Sequence, residues 1–122
     1  MSDRLLVDTN IVIYGLKGVP HIKRLLNKRS IYISFITEIE LLSYSKNTTS
    51  DLQLIELFLD SSYIIEYAIP IKKTVIDIRK RYNLKTADVF VAASAIEYNL
   101  PLISADAIFG RISQINFFKV NP

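Results

Sequence analysis

The sequence predicts an α/β fold, a three-layer α/β/α sandwich around a central, mostly parallel sheet of four to five short strands. Two observations carry this. Short apolar, β-branched and aromatic runs alternate with segments of helical periodicity along the whole chain, the pattern of strands joined by crossover helices. The runs themselves are apolar and short, as parallel strands covered on both faces are.

Leu5-Leu6-Val7 is the first such run, and Asp8 ends it. Ile11 to Leu16 continues as a helix capped by Asp8, Thr9 or Asn10, after which Gly15 and Gly18 loosen the chain. Pro20 suits the first turn of a second helix running to Lys28, with Ile22, Leu25 and Leu26 at helical spacing. Ile31 to Phe35 reads as the next strand, Thr37 to Ser45 as a helix, and Asn47-Thr48-Thr49-Ser50 as a loop. Asp51 to Leu59 is an amphipathic helix and Tyr63 to Ile69 a strand. Pro70 then restarts a helix with Ile71, Val75, Ile78 and Tyr82 on one stripe. Ala87 to Ile96 is apolar almost all round, which marks a helix buried on more than one side. Pro101–Ser104 and Phe117–Val120 supply two last strands. With no repeat, low-complexity tract or linker, residues 1–122 read as one domain.

Composition narrows the function classes. The 122 residues are 50% hydrophobic and 22% charged, a compact globular balance. The absence of cysteine excludes disulfides and thiolate metal sites and fits a cytoplasmic protein. No signal peptide is legible, and no run approaches the roughly 18 apolar residues of a membrane span. A net charge of +3 and a pI near 9.2 favour a polyanionic partner.

In a parallel sheet, ligands sit at the carboxyl ends of the strands. Asp8 ends the first strand, Glu40 lies one turn into the helix after the second, and Asp106 lies two residues past Ser104. Asp88 opens the buried helix. Each has an ordinary structural use. Thr37-Glu38-Ile39-Glu40 has a capping-box pattern, Asp8 and Asp106 suit N-caps, and Asp88 complements a helix start after a Thr86 cap. Together they say more. Asp88 stands in the most apolar stretch of the chain, where an unpaired carboxylate costs several kcal/mol. Four gathered carboxylates repel one another unless a divalent ion reverses the local electrostatics. Oxygen ligands without histidine or cysteine favour Mg²⁺ or Mn²⁺, and such a site suits phosphodiester hydrolysis. His21, the lone histidine, lies in a basic amphipathic helix away from these residues and argues against a histidine-based mechanism.

The chain resembles the PIN-domain nucleases, and most closely the VapC-type toxins of toxin–antitoxin pairs. The resemblance is carried by Leu6-Val7-Asp8-Thr9-Asn10, Ile33-Ser34-Phe35-Ile36-Thr37-Glu38-Ile39-Glu40-Leu41-Leu42, Leu84-Lys85-Thr86-Ala87-Asp88-Val89-Phe90-Val91-Ala92-Ala93 and Leu102-Ile103-Ser104-Ala105-Asp106. It implies a PIN-like sandwich and a Mg²⁺- or Mn²⁺-dependent endoribonuclease with Asp8, Glu40, Asp88 and Asp106 as metal-binding and catalytic acids. Glu38 is the lesser candidate. Thr9, Asn10 and Ser104 match positions that support the acids by hydrogen bonds. The implied partners are RNA, a cognate antitoxin and a second copy of the chain. Two departures stand out: Leu42-Ser43-Tyr44 lacks a glycine often found after the Glu-Leu element, and Ser104 replaces the usual threonine.

Lysines and arginines at 23, 24, 28 and 29 and at 72–85 are candidates to line an RNA path. Lys85 is the best placed, with Arg79, Lys80 and Arg81 behind it. A signalling receiver domain is the rival α/β reading, but it needs paired acids after the first strand, where this chain has Thr9 and Asn10. A housekeeping RNA-processing nuclease and a non-catalytic PIN-like binding module are the remaining alternatives.

Overall fold

The computed structural model describes residues 2–122. Its centre is a five-stranded sheet of order β3-β2-β1-β4-β5, in which every neighbouring pair is parallel. The strands are β1 (Arg4–Val7), β2 (Ser30–Ser34), β3 (Tyr63–Ile65), β4 (Leu102–Ser104) and β5 (Phe117–Lys119). The helices are α1 (Thr9–Leu16), α2 (Pro20–Leu26), α3 (Phe35–Ser43), α4 (Thr49–Asp60), α5 (Ile69–Arg81) and α6 (Thr86–Glu97), with a 3₁₀ turn over Ala107–Arg111. The expected sandwich is present, and its sheet is wholly parallel.

Side-chain alternation along the strands divides the core in two. Leu5, Val7, Ile31, Ile33 and Ile103 point to one face and meet Ile11, Val12, Ile22, Leu41 and Ile55 from α1 to α4. Leu6 and Leu102 point to the other and meet Ile71 and Ile78 of α5, the buried face of α6, and Phe109, Ile112 and Ile115. The α6 run Val89 to Ala95 is buried almost throughout, apart from half-buried Phe90, because α5 lies on one side of it and the sheet on the other. That is the placement its sequence predicts.

Several boundaries differ from the sequence reading, each for a local reason. Helix α3 starts two residues early because Ser34 is its N-cap, its Oγ accepting from the Ile36 N–H at 3.2 Å. Thr37 therefore lies inside the helix, fully buried, and the Thr37–Glu40 capping box does not form. The capping box falls instead at Thr48 and Asp51, so α4 begins within the expected loop. Strand β3 stops at Ile65, since Ile69 already belongs to α5 with Pro70 in its first turn. Thr86 does not cap α6: Lys85 holds the N-cap position without a side-chain bond. Gly15 belongs to α1 and serves close packing, as a Cβ there would stand 3.0 Å from the Leu26 methyl. Gly18, at φ +88°, makes the turn into α2.

The far edge of the sheet depends on Phe109, which is fully buried beneath β5 with its ring 6.1 Å from that of Phe117. Truncating it leaves a cavity that short strands cannot close. Phe109→Ala should lower stability by about 3–5 kcal/mol, read as a reduced urea midpoint with the slope unchanged. A loss below about 1 kcal/mol would mean that this edge collapses freely around the gap.

Candidate active site

The sheet order puts β1 between β2, reached through α1 and α2, and β4, reached from the opposite layer. The chain thus reverses its winding at the β1–β4 junction, where α/β sheets open a crevice at their carboxyl ends. Two residues leave that junction side by side. The Asp8 N–H donates to the Ile103 carbonyl at 3.0 Å, extending the β1–β4 ladder by one rung. Ser104 Oγ then donates to Asp8 Oδ2 at 2.8 Å, and both residues are buried. The same hydroxyl accepts from the Asp106 N–H at 3.0 Å, which ties the segment after β4 to the end of β1.

Asp8 also caps α1, with Oδ1 accepting from the Thr9 N–H at 2.8 Å. Asp106 caps the 3₁₀ turn, accepting from the Ile108 N–H at 3.0 Å. The capping roles and the site positions coincide, because a side chain bonded to a helix start cannot swing away from the sheet edge. Glu40 comes in from α3. Thr9 Oγ1 approaches its Oε1 at 2.6 Å and the Thr37 hydroxyl at 3.0 Å, so α1 and α3 meet through three oxygen-bearing side chains. Thr37 is the contributor that sequence reasoning assigned elsewhere, as a helix cap. Only its burial within α3 reveals the contact.

Asp88 stands at the third position of α6, half-buried rather than embedded in the apolar core, because the first turn opens toward the sheet edge. Its pKa is raised, first by burial and then by the charges of Asp8 and Asp106, with Lys85 pulling it back and Glu40 adding to the rise. The Asp8 pKa is also raised, again first by burial. The bonds from Ser104 and Thr9 oppose that rise, while the charges of Glu40 and Asp106 reinforce it. The four acids therefore occupy one electrostatic neighbourhood. Glu40 and Asp106 are exposed on its open side, as is Asn10 on the first turn of α1. Lys85 is exposed beside Asp88, and Arg79, Lys80 and Arg81 end α5. His21 lies elsewhere, its Nε2 2.6 Å from the Asn121 carbonyl oxygen.

Among the described residues no three acidic or imidazole side chains stand at metal-ligating geometry. Fit to a divalent cation is thus one of donor type and charge. The donors are carboxylate and hydroxyl oxygens alone, and burial, with their mutual repulsion added to it, raises two of the four pKa values.

A PIN domain model matches residues 5–115, a span that contains all four acids and runs from the second residue of β1 to beyond β4. The chain belongs to the PIN domain family. PIN domains are a nuclease family, so membership supports a hydrolase acting on nucleic acid. No curated protein sequence matches the chain. Solved structures do. A chain of the toxin–antitoxin complex from Klebsiella pneumoniae is 26% identical with a TM-score of 0.80, over 95% of this chain and 99% of that one. A chain of the DNA-bound VapBC complex from Salmonella typhimurium gives 0.82 at 24% identity, over 95% and 97%. A chain of Rickettsia felis VapBC2, bound to a promoter DNA fragment, gives 0.81 at 23% identity, over 97% and 99%. This PIN domain and those chains share one fold from end to end. No helix among the described residues is long and apolar enough to cross a membrane.

The raised Asp88 pKa makes a stability prediction. The native protein holds that proton more tightly than the unfolded chain. Its contribution therefore favours folding below the ordinary carboxylate range and is lost as pH rises through the raised value. Asp88→Asn removes the loss. In chelator-treated protein the variant should melt above wild type near pH 7, with the gap closing toward about pH 4. A variant that melts lower at neutral pH would show that Asp88 stabilises the fold by some bond other than those of its charge.

Proposed function

We propose that this PIN domain is a metal-dependent endoribonuclease and the toxin of a type II toxin–antitoxin pair. The observation that carries the reading is the buried Ser104–Asp8 bond at the β1–β4 junction, with three further acids in electrostatic reach. A fold with no catalytic use for that edge gains nothing by crowding carboxylates there. Asp8, Asp88, Asp106 and Glu40 would hold Mg²⁺ or Mn²⁺. When bound, the ion supplies a water of lowered pKa and neutralises charge on the phosphate.

The chain's own residues do the positioning. Ser104 and the Thr9 N–H fix both oxygens of Asp8, and the Thr9 hydroxyl fixes Glu40. Asn10 lies on the open side, where RNA arrives. Lys85 attracts the phosphate that the acids alone would repel. The antitoxin half of the reading is supported by the toxin–antitoxin complexes among the structural neighbours. A partner that presents an arginine to these carboxylates would match their geometry and silence the site. A homodimer belongs to the same reading, with Ile39, Leu42 and Tyr44 of the α3 region and Ile69 and Ile76 of α5 supplying exposed apolar surface.

Asp8→Asn should abolish cleavage of single-stranded RNA, beyond the roughly 10–100-fold that loss of an outer-shell partner costs, and EDTA should do the same to wild type. Expression alone should halt growth, and co-expression of the adjacent small reading frame should restore it. Cleavage that survives EDTA or the substitution contradicts the proposed chemistry. Harmless overexpression of an active nuclease contradicts the toxin role and leaves RNA processing.

A further inference from the structure

The basic residues fall into two groups, and the fold separates them. Lys23 and Arg24 lie on α2, in the layer of α1 and α4. There they border a cleft of about 510 Å³ whose other walls include Val12, Leu16 and Phe58. Arg79, Lys80 and Arg81 end α5 in the opposite layer, which is the layer of α6 and Asp88. The chain leaves α5 at Tyr82, whose backbone is extended, and enters α6 after Lys85. Residues Arg79 to Leu84 line an open recess of about 300 Å³ at this turn. Arg79 Nη1 donates to Thr86 Oγ1 at 3.1 Å, which pins the recess to the first residue of α6, two before Asp88.

Helix dipoles favour cations at a C-terminus, and that accounts for part of the run. It does not account for three consecutive cations beside a concavity that lies one short turn from an acidic edge. Each cluster is the other's complement for a polyanion. A nucleic-acid backbone that reaches four carboxylates meets repulsion there and needs cations close by to hold it. From Leu84 to Asp88 is at most about 14 Å of chain, a span of a few nucleotides.

We propose that the Arg79–Leu84 recess is a phosphate subsite for single-stranded RNA, seating the backbone a few nucleotides from the bond cut at the acidic edge. Lys80 and Arg81, both exposed, contact the phosphate. Arg79 is a positioning residue that fixes the recess against α6. The subsite rests on the ribonuclease reading and supplies what that reading lacks, a reason for affinity that increases with RNA length. It carries no sequence preference, since phosphate contacts read none.

The test is binding by fluorescence anisotropy in an Asp88→Asn background, so that RNA stays intact. Unstructured RNAs of about twelve and about two nucleotides, the shorter unable to span acids and recess together, are compared from low to high salt. Lys80→Gln/Arg81→Gln should weaken the longer RNA about tenfold and flatten its logarithmic salt slope by about 1.4, two contacts at 0.7 each. The shorter RNA should lose less than about twofold. Lys23→Gln/Arg24→Gln should overlay the parent at both lengths. Equal losses at both lengths, or curves for Lys80→Gln/Arg81→Gln that overlay the parent, overturn the subsite. Cleavage of the same RNAs by wild type is scored separately. Length-dependent binding without cleavage keeps the subsite and sinks the nuclease, and cleavage without length dependence does the reverse.

Discussion

An ionised carboxylate taken out of water at the end of a strand is among the costlier things a small protein can build. This chain meets that cost at Asp8 with the Ser104 hydroxyl on one oxygen and the first amide of α1 on the other. Ser104 reaches Asp8 only because β1 and β4 are adjacent, parallel and in the register that pairs Val7 with Ile103. A one-residue slip would turn the hydroxyl to the other face of the sheet. The same hydroxyl receives the Asp106 amide, so the direction of the segment after β4 hangs on the same register. The site's geometry is thus a property of the sheet, with α1 and the 3₁₀ turn holding the carboxylates in place.

The helices decide what surrounds that fixed pair. Helix α3 starts at Phe35, because Ser34 both ends β2 and caps the helix, and this start brings Thr37 and Glu40 round to Thr9. Helix α6 is buried through its middle but not at its first turn, so Asp88 stays at the boundary between core and edge. Burial and like charges raise the pKa of both Asp8 and Asp88. A cation of any kind, metal or arginine, placed among these carboxylates would offset that repulsion. Catalysis and inhibition would exploit the same unfavourable term.

The fold was legible in the sequence because each strand is a short apolar run ended by a polar residue, and in a parallel sheet those ends are where chemistry collects. Asp8 and Asp106 were legible for a second reason: capping and site positions draw on the same residue type at the same place. Glu40 was legible as an acid of the edge, but its local surroundings were not. A Thr-x-x-Glu pattern fits a capping box equally well, and the choice depends on whether Ser34 or Thr37 caps the helix. One hydroxyl-to-amide bond, Ser34 Oγ to the Ile36 N–H, decides that and leaves no trace in periodicity. Thr86 is no cap for a different reason: it is the first residue of α6, and its hydroxyl accepts from Arg79 Nη1 rather than from a helix amide. The packing of Phe35 against Phe90 at 5.3 Å, with Tyr67 edge-on to both, joins three segments distant in sequence and has no local signature.

The two basic runs show how far composition can go. A net charge of +3 favours a polyanionic partner without saying where it would bind, and either run alone reads as a solvated helix face. The structure separates them by layer. The α2 cations border a cleft whose other walls are largely apolar. The α5 cations sit one short turn upstream of an acid, on the helix pair that carries it. Cations beside acids on one rim make a field that changes sign over a short distance. On the proposed reading, such a field would seat a strand's backbone on the cations in any register and draw one phosphate over the acids once their charge is neutralised. The local arrangement of charge, rather than its sum, would then set how far from the anchored phosphate the bond is cut.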